Sequence, residues 1–141
     1  QSYREFWGGS ESKKTLFDPC PAGWRVSTKD EAEKFLAVVS NSTMASNKSG
    51  YEYQGHYLPL TSIRSCANAR VSYVTSVGVN VESLFWTCTP FGYYSYTYAA
   101  ALKAPANFSD KYDKGETKSP EKYSVDYHNN ADACPVRCIK E

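Results

Sequence analysis

The chain has 141 residues, a formal net charge of +1 and a mean hydropathy of −0.57. That length gives a single domain, spanning 1–141, with a core of its own. The near-neutral balance offers no field to draw it to nucleic acid or an anionic membrane, and no apolar run approaches the ~20 residues of a bilayer span.

Lys14 to Phe17 reads as a short strand, stopped by Asp18-Pro19. Thr28 then starts the best helix in the chain: Glu31 stands three residues on, as a capping box requires. Ala32, Phe35, Leu36 and Val39 form one apolar stripe, while Lys29, Asp30, Glu33 and Lys34 fall on the wet side, so the spacing predicts a helix over about 29–39. Asn41 to Gly50 is small and polar, a loop. Short strands follow. Tyr57 to Cys66 carries Leu58, Leu60 and Ile63, and Val71 to Val81 reads as a hairpin or a wandering loop. Leu84 to Cys88 is a dense apolar run expected to be the central strand, and Pro90-Phe91-Gly92 turns the chain. Tyr94, Tyr96 and Tyr98 alternate with Ser95, Thr97 and Ala99 as a strand with two unlike faces would. Lys103 to Asp132 is polar throughout and reads as a long loop, and Cys134 to Lys140 closes the chain as a strand. One helix followed by many strands makes an α+β domain: the main helix beside a twisted, mostly antiparallel sheet with long loops. Gln1-Ser2-Tyr3 reads as the start of a mature or excised fragment, and 1–13 as an amino-terminal extension to a core of about 17–140.

Five cysteines leave at least one thiol over, and their spacing does not suit zinc. Cys134 and Cys138, on one strand face, lie more than ~12 Å apart at ~3.3 Å per residue. A disulfide needs Cα atoms within about 7 Å, so each requires a distant partner or none. Cys20 with Cys138 is the first pairing expected, a clasp between the first ordered element and the last strand. It places the protein in an oxidising compartment.

The motif Asp18-Pro19-Cys20-Pro21-Ala22-Gly23-Trp24-Arg25-Val26-Ser27-Thr28 resembles the opening of the Fibrobacter succinogenes major paralogous domain family, D-P-C-P-x-G-W-R-V-P-T. Val136-Arg137-Cys138-Ile139 resembles that family's closing V-R-C-V, and Trp86-Thr87-Cys88-Thr89 stands where its W-S-S-T falls. Arg25-Val26-Ser27-Thr28 with Glu31 is also similar to the R-L-P-T-x-x-E of formylglycine-generating-enzyme-like domains. The resemblance implies a C-type-lectin-like fold, export, and a surface role beside fimbrillin-like or lipoprotein modules of gut-type bacteria. It implies no ligand, and the enzyme's activity is not carried over because the region bearing its paired cysteines has no counterpart here. Ser27 departs from the pattern, as do Cys66, Cys88 and Cys134. A second disulfide particular to this chain is therefore expected, Cys66 with Cys88, with Cys88–Cys134 as its rival.

Only His56 and His128 are available for acid–base work, and neither sits in a recognisable motif; both read as ordinary loop or edge residues. A hydrolase would need one of them beside a carboxylate and a Ser or Cys in one pocket. Asn107, Asp110, Asp113 and Asp126 carry oxygen ligands suited to calcium, yet the sugar-binding signatures of calcium lectins are absent, and these residues read first as a solvated loop. No cofactor is expected. Aromatic residues are the stronger sign, since a flat ring with a polar tip gives contact area at low entropic cost. Among 12 tyrosines, Tyr112, Tyr123 and Tyr127 stand amid polar residues and read as exposed, while Trp24, Trp86 and the alternating strand tyrosines read as core. The candidate ligand-binding set is Asn107, Asp110, Tyr112, Asp113, Tyr123, Asp126, Tyr127, His128 and Asn129, with Ser76 to Asn80 as a second lip. The expected function is non-catalytic recognition of a glycan or a protein at a bacterial surface. The alternative is an assembly module docking a neighbouring domain or pilus subunit, its exposed aromatics gathered into one dry patch.

Overall fold

The motif around Cys20 is organised by one buried carboxylate. In a computed structural model describing residues 7–8, 13–61, 63–69, 82–92, 96–105 and 107–141, Asp18 Oδ1 accepts the Cys20 amide at 2.8 Å and Oδ2 the Val26 amide at 3.0 Å. Lys14 neutralises it at 3.1 Å, and its ammonium also donates to the carbonyls of Cys20 and Trp24 at 2.5 and 2.8 Å. Lys14 to Phe17 is thus a turn, closed by Asp18 N–H on Thr15 O, and not the strand its sequence predicts.

This knot presents strand β1 (Trp24–Val26) to strand β8 (Cys138–Lys140), antiparallel, with Val26 opposite Cys138. Beside the pairing Cys20 and Cys138 are joined by a disulfide, as the sequence predicts. Helix α1 (Lys29–Val39) has the expected bounds and cap. Thr28 Oγ1 accepts the Glu31 amide, and Glu31 returns a bond to the Thr28 amide at 2.8 Å. Arg25 then grips the same carboxylate with both guanidinium arms, at 2.8 and 2.6 Å, so β1, the cap and α1 share one ionic joint.

The strands β2 (Thr43–Met44), β3 (Gly50–Tyr53) and β4 (His56–Pro59) form a small antiparallel sheet. A third sheet has the order β5 (Glu82–Phe91), β6 (Tyr96–Lys103), β7 (Lys122–Asn129). Among the described residues the expected single sheet is therefore three small antiparallel ones, and the central strand of the third is β6 rather than the Leu84–Cys88 run. The expected loop from Lys103 to Asp132 contains helix α2 (Phe108–Asp113) and all of β7. Cys134 to Val136 runs beside β5 through a single parallel bridge at Trp86 and Val136, and the closing strand proper begins at Cys138. Tyr94 and the segment Val71 to Val81, with the second lip at Ser76 to Asn80, lie outside the described residues.

The main core lies between α1 and one face of the third sheet. Ala32, Leu36 and Val39 pack with Phe85, Ala100 and Leu102, and Met44, Tyr51 and Leu58 of the second sheet complete it. On the sheet's other face Leu84, Trp86, Ala99 and Ala101 are covered by Trp7, Ile63 and Cys134. Tyr51 is fully buried, and among the described residues its hydroxyl has no hydrogen-bond partner.

The second expected disulfide does not form: Cys66, Cys88 and Cys134 are thiols. Thr61 bridges Glu82 in antiparallel sense, so Cys66 and Cys88 leave that bridge in opposite directions. The parallel bridge at Trp86 and Val136 rules out the rival, since it sets Cys134 against Leu84 and brings Cys88 to the Cys20–Cys138 cluster.

Candidate functional site

Helix α1 covers only part of the sheet face it packs on. Between Trp86 and Pro90 the β5–β6 register shifts, because β5 bulges toward the start of the helix. There Cys88 N–H bonds to Ser27 O at 2.8 Å, Thr89 Oγ1 accepts the Lys29 amide at 2.9 Å, and Thr87 Oγ1 donates to Tyr98 O at 2.8 Å. The bulge re-aims the end of β5, a common use of such irregularities. Past the first turn of α1 the same face continues as Phe91, Tyr96, Tyr98 and Tyr127.

These four rings form one cluster. Phe91 of β5 and Tyr127 of β7 lean over β6 from either side and stack, centroids 4.2 Å apart and planes 4° from parallel. Tyr96 meets Tyr127 edge-on at 5.6 Å, and Tyr98 meets Phe91 edge-on at 5.3 Å. The edge-on contacts suit the ring quadrupoles, and the rings sit on strands, which hold them more rigidly than loops do. Tyr127 remains 53% exposed and Tyr96 37%. The rim is polar. Lys29 Nζ lies 5.0 Å from the Tyr98 centroid, and its hydrogen bond to Glu33 holds its pKa above the ordinary lysine value. Thr97 Oγ1 donates to Asn130 Oδ1 at 2.7 Å on the opposite face, beside His128.

The nine residues expected to bind ligand fall into three settings. Tyr123, Tyr127 and Asn129 lie on the face of β7 that carries Val125, which packs on the main core. Asp126 and His128 point to the other face: Asp126 accepts the Ser124 hydroxyl at 2.8 Å and lies 3.7 Å from Lys103, and His128 meets the edge of Trp86 at 6.2 Å. Asn107, Asp110, Tyr112 and Asp113 belong to α2 and its cap. Tyr112 packs on the main core, Asp113 pairs with Lys48 at 2.7 Å, and Asn107 enters the helix in a left-handed conformation at φ 54. Only Tyr127 joins the aromatic cluster. Its partners Tyr96 and Tyr98 belong to the alternating strand that the sequence predicts, whereas Phe91 reads as part of a turn and is the last residue of β5; no local signal shows how much of this face the helix covers.

Among the described residues no three His, Cys, Asp or Glu side chains gather as a metal site. Arg137 Nη2 donates to His56 Nδ1 at 3.3 Å; a guanidinium has only donors, so that ring nitrogen is the acceptor. Burial pushes the Cys88 thiol up to about 11 and the Cys134 thiol up to about 12, leaving both as packed groups at neutral pH. No family model, curated protein or solved structure matches this chain.

Proposed function

We propose that this domain is a non-catalytic recognition module that binds carbohydrate on the aromatic end of its third sheet, in a C-type-lectin-like scaffold displayed outside the cell. The observation that carries this reading is the stacked Phe91–Tyr127 pair flanked by Tyr96 and Tyr98. A sugar ring presents a face of C–H groups that packs on a flat aromatic surface, while its hydroxyls reach a polar rim. Here that rim is Lys29, over the Tyr98 ring, and Asn129, the strand partner of Tyr96. The Cys20–Cys138 disulfide supports an oxidising compartment. The terminal motifs resembling those of the Fibrobacter succinogenes major paralogous domain family support a surface role beside fimbrial or lipoprotein modules.

Probing a glycan array with the isolated domain, with and without a calcium chelator, tests this. Chelator-insensitive binding to a defined set of glycans is expected. Chelator-sensitive binding would overturn the metal-free site. A second reading, docking to a neighbouring polypeptide, is favoured by one feature: within the cluster the exposed rings Tyr96 and Tyr127 adjoin as a patch rather than as the walls of a cleft. Uniform silence on the array would favour it.

A further inference from the structure

At the opposite end of β5 from the aromatic cluster lies a cleft of about 200 Å³. It is walled by Leu58 and Pro59 of β4, Leu84 and Phe85 of β5, and Pro135 and Val136 of the closing segment. Its polar groups are few. The Thr61 hydroxyl is engaged with the main chain of Leu84, accepting its amide at 3.1 Å and donating to its carbonyl at 3.3 Å. One charged side chain lines the cleft, Arg137.

Arg137 is held in place without being neutralised. Its guanidinium lies over the Phe35 ring, 4.9 Å from the centroid, and Phe35 packs edge-on against Phe85 in the cleft wall. Its one side-chain hydrogen bond among the described residues goes to a ring nitrogen, His56 Nδ1. Each ion pair among the described residues involves other groups, so no described carboxylate offsets this charge. Burial accordingly pulls its pKa below the ordinary arginine value. The contrast with Arg25 is informative: Arg25 meets Glu31 with both arms. A half-buried guanidinium fixed by stacking, with no described carboxylate on its donors and apolar walls beside it, is arranged to receive an anion from outside.

We propose that this cleft binds a monocarboxylate with a compact apolar body, the carboxylate on Arg137 and the apolar part against Leu58, Leu84 and Phe85. The volume selects the size: at ~30 Å³ per water it displaces about seven waters, enough for one branched side chain and its carboxylate. A single guanidinium amid apolar walls favours one negative charge over two, since a dianion would keep an uncompensated charge out of water. Scarcity of polar lining disfavours a sugar acid, whose hydroxyls would lose their water partners. This site is independent of the aromatic surface, and either can fail alone. The same chemistry comes from a free aliphatic acid or from the last residue of a polypeptide.

The test titrates the folded domain with 4-methylpentanoate, N-acetyl-leucine and N-acetyl-leucinamide, following backbone amide resonances. Saturable shifts confined to residues 58–61, 83–85 and 135–137 are expected for the acids, with the uncharged amide at least about tenfold weaker. Preference for N-acetyl-leucine over 4-methylpentanoate assigns the site to a polypeptide end; equal or reversed preference assigns it to free acids. Arg137→Met should abolish the shifts. Because Arg137 also packs on Phe35, the second variant is Val136→Phe at a 39% exposed wall position, which should block the cleft in a chain that keeps its guanidinium. Acid and amide binding equally, shifts elsewhere, no saturable shift for either acid, or undiminished binding in Val136→Phe would each overturn the proposal.

Discussion

Replacing Cys20 and Cys138 together by alanine opens a loop of 118 residues. In chain-entropy terms a cross-link across that span removes roughly 16 cal/mol/K from the unfolded ensemble, about 5 kcal/mol at 25 °C. A domain of this size has about 5–15 kcal/mol in total, so the variant should be marginal. Its Tm should fall by about 15–20 °C, taking about 3–4 °C per kcal/mol at this length. The dependence is topological: β1 and β8 pair over three residues each, too little to hold the chain ends by main-chain bonds alone. Urea unfolding followed by tryptophan fluorescence measures this, with the denaturant slope rising as the unfolded chain expands. A double variant within about 1 kcal/mol of the parent would refute the reasoning, because the ends would then be held by something other than the covalent link.

Three further outcomes follow from individual side chains. The two-armed hydrogen bond from Arg25 holds Glu31 down at about 2 against an ordinary 4.5, so protonation favours the unfolded chain. Urea midpoints should be flat above about pH 5 and fall between about pH 4.5 and 2, with about 1–2 kcal/mol of that loss absent in Glu31→Gln after allowance for partial exposure. Tyr51→Phe should leave stability unchanged or raise it by about 1 kcal/mol, since the lost hydroxyl is buried without a described partner; a loss above about 1 kcal/mol would show that it is satisfied after all. A thiol reagent applied to the native protein should modify Cys66 alone, reaching Cys88 and Cys134 only after unfolding. A count of one thiol in denaturant would restore the second disulfide.

What could be read from the chain was what is decided locally. Thr28 and Glu31 specify a helix start by themselves, and the stripe Ala32, Leu36, Val39 specifies its buried face, so α1 appears with the bounds its sequence gives. Strand β7 was hidden for a physical reason. Tyr123, Val125 and Tyr127 alternate as a strand should, but their neighbours Lys122, Ser124, Asp126 and His128 face outward or sit over the far side, and the segment reads as uniformly polar. Helix α2 has six residues with Phe108 and Tyr112 one turn apart, too short for periodicity to declare itself. Tyr96 and Tyr98 read as core because alternation reports a face, whereas exposure depends on how much of that face α1 covers, and its first residue, Lys29, lies over Tyr98. The second pairing, Cys66 with Cys88, failed likewise, since register between distant segments is a tertiary property.

The recognition surface is tested most directly by running the native domain and Tyr127→Ala side by side on one glycan array, with Tyr123→Ala as the control on another exposed ring of the same strand outside the cluster. Native binding that falls about tenfold or more in Tyr127→Ala and persists in Tyr123→Ala is the predicted result. Glycan binding unchanged by the loss of Tyr127 would contradict it.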